Sequence, residues 1–117
     1  MPVGLSTASV ARFAAGVLAA LWAMAGLADD YVTVAAVGAS APLVISIVSN
    51  VLLIAGASLA FVHAGGWRSV LVLALALVTI DRIASAALAG APLQIVSSFI
   101  AFVAIAGVAM IGATRRG

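Results

Sequence analysis

The chain has 117 residues, of which 67% are hydrophobic and 7% charged, with a formal net charge of +2. A soluble domain of this size must cover its surface with polar groups, and five Arg and three Asp with no Lys or Glu cannot do that. A soluble globular fold and a disordered tail are therefore excluded. A helix needs about 20 apolar residues to cross about 30 Å of hydrocarbon. Charged residues and Pro/Gly pairs divide the chain into four such lengths: 9–28, 42–62, 67–89 and 93–113. Each is apolar all round, the pattern of a lipid-buried helix, and the period-2 alternation of a membrane barrel is absent. The first length is expected to stop at Asp29-Asp30. Its end, Gly26-Leu27-Ala28, has the small-x-small form of a signal-peptide cleavage site; the single Arg12 before it and the long run containing Trp22 favour a retained helix. The apolar segment 31–41 is too long to add to the second span, so it is expected to be an interfacial loop or short helix. Pro42 and Pro92 open the second and fourth spans, where a missing N–H costs nothing.

Arg12, Arg68 and Arg115-Arg116 fall at the N-terminus, the second connection and the C-terminus. Asp29-Asp30 and the uncharged Gly90-Ala91-Pro92 turn fall at the other two connections. The positive-inside rule then places both termini in the cytoplasm. Trp67 and Tyr31 stand where aromatic interface anchors belong. Ala41-Pro42-Leu43-Val44-Ile45 aligns with Ala91-Pro92-Leu93-Gln94-Ile95, and Arg12 and Arg68 each precede an inside-to-outside helix. The expected fold is all-α: an integral membrane four-helix bundle in one domain, readable as two parallel helical hairpins. Small residues four apart, Gly56 with Ala60 and Ala15 with Ala19 and Ala23, favour close helix contact.

Asp81 and Arg82 lie inside the third span. Taking that helix as 69–89 puts its midpoint near Thr79, with Asp81 about 3 Å and Arg82 about 4.5 Å beyond it. Insertion scales assign about 2.5–3.5 kcal/mol to each such residue near a helix centre, so both need compensation. The same depth arithmetic brings Asn50 nearly level with Asp81 and puts Ser46 and Ser49 just above it. Ser97 and Ser98 occupy the outer half of the fourth span, and Trp22 offers an indole N–H in the first. These eight residues are expected to form one intramembrane polar layer. Adjacent helical residues point about 100° apart. One of Asp81 and Arg82 is therefore expected to meet Asn50 or a serine, and the other a neighbouring helix or protomer. The layer reads either as a register-fixing network, each contact worth under about 1–2 kcal/mol, or as a proton, ion or substrate site.

With no Cys and the single His63, the chain offers no disulfide, no thiolate and no multi-histidine metal site. Catalytic residues, metal ligands and cofactors are not expected. His63 and Asp29-Asp30 read as solvated boundary residues. No basic cluster with interleaved aromatics supports nucleic-acid binding.

From about Gly66 onward, Gly-Gly-Trp-Arg, an apolar helix carrying Asp81-Arg82, then Leu88-Ala89-Gly90-Ala91-Pro92 and a final apolar helix resemble the layout of the small four-helix membrane proteins of the DoxX-like group. That resemblance implies a four-helix membrane protein and little about activity. Because a four-helix unit of this size is expected to enclose little volume, the first expectation is a non-enzymatic, multi-pass protein of the cell membrane. It would sit in the lipid bilayer as a homo-oligomer or as an accessory subunit of a membrane-protein partner. The alternative is a small transporter or ion or proton pathway using the Asp81, Arg82 and Asn50 layer.

Overall fold

Helix α1 (Thr7–Val37) begins at Ser6, whose Oγ accepts the Ser9 N–H at 3.0 Å, and it meets no breaker until Gly38, at φ 82°. The computed structural model describes residues 6–111. Within them α1 runs straight through Asp29-Asp30, which corrects the expected stop there. The segment from Tyr31 to Val37 is helix, and only residues 38–40 link it to the next element. Asp30 is 7% exposed. It faces the bundle, where donors on the second helix satisfy it, so the acidic pair gives the backbone no reason to leave the helix. At 1.5 Å per residue α1 is about 46 Å long, more than the hydrocarbon thickness.

Ser40 caps α2 (Ala41–Phe61), accepting the Leu43 N–H, and Pro42 sits in its first turn. Helix α3 (Trp67–Ala89) ends at Gly90, whose φ of 69° turns the chain so that the Ala91 N–H reaches the Ala86 carbonyl at 2.9 Å. Helix α4 is Pro92–Ala109. All four helices are long and apolar enough to cross a membrane. The expected last residues of the fourth span, and Arg115-Arg116 with them, lie outside the described residues.

The short connections force sequence neighbours to pack antiparallel. Helix α1 also packs on α4, which closes a ring in the order α1, α2, α3, α4. The described chain extends 54 Å along its long axis. Contact is close because the facing residues are small. Ala11, Ala15, Ala19 and Ala23 form a buried stripe on α1. A Cβ at Gly56 would lie 2.8 Å from the Leu71 Cα, so α2 and α3 meet backbone to backbone there. Leu53, Leu71, Leu75 and Val78 fill the middle of the bundle and are essentially inaccessible to solvent. Trp67 is 3% exposed and packs into this core rather than standing out as an anchor, while Tyr31 projects from α1.

One end of the bundle is closed twice by the same device. Arg12 Nη1 donates to the Ala60 carbonyl and, at 3.3 Å, to the Phe61 carbonyl. Arg68 Nε donates to the Ala109 carbonyl at 2.9 Å and Nη2 to the Ile111 carbonyl at 3.3 Å. Each guanidinium also lies over the aromatic ring beside it, Arg12 over Phe13 at 4.5 Å and Arg68 over Trp67 at 4.7 Å. An arginine near the start of each hairpin thus meets the last carbonyls of that hairpin's second helix. Those carbonyls lie at or just beyond the helix C-termini, where the negative end of the dipole falls. Both arginines therefore have a structural task beyond marking a boundary.

Candidate functional site: an acidic cavity in one half of the bundle

In the half of the bundle away from Arg12 and Arg68, the helices part around a cavity of about 780 Å³. That is the size of a small-molecule site, although the space is open to the outside on one side. The C-terminal half of α1 contributes Trp22, Gly26, Asp29, Asp30 and Thr33. The N-terminal turns of α2 contribute Pro42, Leu43 and Ser46, with Ser40 ahead of them. Asp81, Arg82 and Ser85 come from α3, and Gln94, Ser97, Ser98 and Ala101 from α4. All three carboxylates of the chain therefore line one cavity together with Arg82.

The innermost polar groups are joined in a chain. Ser46 and Asn50 are four residues apart and share one face of α2. Ser46 Oγ donates to both oxygens of Asp30, at 3.0 and 2.9 Å. Asn50 Nδ2 donates to Asp30 Oδ2 at 3.4 Å and to the Ser46 carbonyl at 2.9 Å. The Asn50 Oδ1 accepts from Arg82 Nη2 at 3.3 Å, and the same nitrogen donates to the Trp22 carbonyl at 2.7 Å. The Arg82 guanidinium lies 4.3 Å over the Trp22 ring. It is thus bound on α1 by a carbonyl and a π-face, and it is linked to Asp30 through the Asn50 amide. With three carboxylates against one guanidinium, the cavity carries an excess of two negative charges when all four are ionised.

The sequence-selected residues fall into three groups. Asp81, Arg82, Ser46, Ser97, Ser98 and Trp22 line the cavity. Asn50 is 1% exposed and sits behind the lining, where it bridges Asp30 and Arg82. Ser49 is not brought into the cavity: its hydroxyl donates to the Ile45 carbonyl of its own helix at 2.8 Å. Trp22 takes part through its ring face and backbone carbonyl rather than its indole N–H. Asp29 and Asp30, read from the sequence as boundary charges, belong to the site. Thr33, Ser40, Ser85 and Gln94 also line it without having been singled out.

Gly26 was missed as well. A Cβ there would collide with Arg82 Nη2 and come within 2.6 Å of Asn50 Oδ1, so the glycine makes the opening through which both side chains reach α1. Its only signal in the sequence is that it stands four residues after Trp22, on the same helix face.

Below this layer the bundle is apolar. Ala19 and Ala23 on α1, Leu53 on α2, Leu75 and Val78 on α3 and Ile105 on α4 belong to one buried apolar cluster. The cavity therefore has a floor and leaves no polar path to the opposite end among the described residues. Comparison with protein families, with curated proteins and with solved structures found no match to the chain. Among the described residues, fold and site define it instead as a bundle of four helices long and apolar enough to cross a membrane, with an acidic cavity in one half.

Proposed function

We propose that this chain is a small multi-pass integral protein of the cell membrane that binds a cationic solute in the acidic cavity and carries it across, with no covalent chemistry. The observation behind this reading is that the whole acidic complement of a chain that is 7% charged lines one ligand-sized space. Intramembrane carboxylates are expensive and mark substrate or ion pathways by default. The closed apolar floor favours a carrier open on one side over a continuous pore. Arg12 and Arg68 share the opposite end, so the positive-inside rule puts that end in the cytoplasm and the cavity mouth outside.

The orientation has a direct test, because the chain contains no cysteine. A cysteine at Ala91, between α3 and α4, is expected to react with an impermeant maleimide added to whole cells. One at Gly65, where a new side chain meets nothing within 4 Å, is expected to react only after the membrane is opened. The reverse pattern overturns the orientation.

Carriage is tested in liposomes of purified protein, following uptake of radiolabelled methylammonium. Uptake is expected to depend on the protein and to fall at least about tenfold when Asp29→Asn and Asp81→Asn are combined, which removes both charge-assisted contacts open to an ammonium group, with oligomer size unchanged. Absence of protein-dependent uptake of this and other small cations would overturn the carrier reading.

A second reading, homo-oligomer or accessory subunit, is favoured by α4. That helix buries only Ser98, Ile105 and Ala109 and leaves Phe99, Ile100 and Val103 uncovered. An accessory subunit gives no flux on its own, so the same liposome experiment separates the two.

A further inference from the structure

We infer that the solute is an organic dication, two ammonium groups on a short flexible apolar linker, with Asp81 and Asp29 each receiving one ammonium group. This rests on the carrier reading and specifies its substrate class. The inner pair of charges is already matched: Asp30 is held by Ser46 and Asn50, and Arg82 by Asn50 and the Trp22 carbonyl. The hydrogen bonds that hold Asp30 do not extend to Asp29 or Asp81, which line the same space and make up its excess of negative charge.

A monocation leaves one of these two carboxylates unanswered, whereas a dication answers both. A single metal ion fits poorly. Among the described residues no three carboxylate or imidazole side chains stand close enough to hold one, and a hard divalent ion needs six or more oxygen ligands gathered around one point.

The shape agrees with the charge. From Trp22 to Thr33 the cavity follows α1 for about 16 Å at 1.5 Å per residue. Ala25, Pro42, Leu43 and Ala101 supply apolar wall among the polar groups, suited to methylene groups. Ammonium ends on carboxylates and methylenes on an apolar wall are the usual division of labour in such a pocket.

The test is calorimetric titration of the full chain in phosphatidylcholine nanodiscs with 1,4-diaminobutane, 1-aminobutane and magnesium chloride. The diamine is expected to bind at least about tenfold more tightly than the monoamine, the effect of one further charge-assisted contact. Asp29→Asn and Asp81→Asn are each expected to bring the diamine to the affinity of the monoamine.

Asp29 is exposed on α1, so Asp29→Asn decides the matter even where Asp81→Asn misassembles. Equal affinity for the two amines overturns the dication and leaves the cation carrier standing. Magnesium binding more tightly than the diamine overturns it in favour of a metal site. Failure of both amines to bind a folded protein overturns this inference and removes support from the carrier reading with it.

Discussion

Replacing Arg82 with Leu is expected to destabilise the bundle by about 3 kcal/mol, the scale of losing hydrogen bonds donated by a charged group to partly buried acceptors. Three losses combine. Asn50 Oδ1, on a residue 1% exposed, loses its donor. The Trp22 carbonyl loses the Nη2 that it accepts at 2.7 Å. Asp30, 7% exposed, keeps its Ser46 and Asn50 bonds but loses the cation to which Asn50 links it. One part of the penalty comes from leaving a charge buried and unanswered, so removing that charge as well restores that part. Asp30→Asn with Arg82→Leu is expected to be more stable than Arg82→Leu alone, since a neutral amide still accepts from Ser46. Reversible unfolding in mixed detergent micelles measures all four members of this cycle. Additive losses in the double variant would show that Asp30 and Arg82 are not coupled.

Gly26→Ala is expected to destabilise the protein by about 1–3 kcal/mol, the range for overpacking a filled site, and to weaken cation binding with it. Helix propensity alone predicts the opposite sign, since Ala is better than Gly in a helix interior by about 1 kcal/mol. The new methyl group has to displace Arg82 Nη2 and the Asn50 amide. The arginine tip can swing into the cavity, but that forfeits its bond to the Trp22 carbonyl. Asn50, closed in on every side, has nowhere to go. Gly107 on α4 provides the control, because a Cβ there meets nothing within 4 Å. Gly107→Ala should hold or raise stability by up to about 1 kcal/mol. Thermal melts of the two variants against the parent chain check the pair, and equal behaviour of both would mean that Gly26 is not the seat of the guanidinium.

Much of the architecture was readable before any coordinates. Hydrocarbon thickness fixes how many apolar residues a span needs, and Gly65-Gly66 and Gly90-Ala91-Pro92 mark where the chain turns after the second and third helices. The reading failed at Asp29-Asp30 because a pair of acids after twenty apolar residues looks like a water-facing stop. Whether a carboxylate ends a helix depends on what waits opposite it. Here the answer is Ser46 and Asn50, sixteen and twenty residues further along the chain. Those two were selected for their depth, and depth was enough to bring them near Arg82. It could not show that Ser49, at the same level, turns back onto Ile45.

Composition and the order of residues thus determined that the chain makes four helices of membrane-crossing length, with Asp81 and Arg82 too deep to be boundary charges. The tertiary structure alone decided which way each helix is turned about its axis, and with it the cavity, the matching of Asp30 to Arg82 and the place of Gly26. The reason is physical. A helix in a soluble domain declares its inner face by its apolar stripe, whereas these helices are apolar all round. Their rotation is set by small residues and polar pairs that become favourable only when the facing helix is in place.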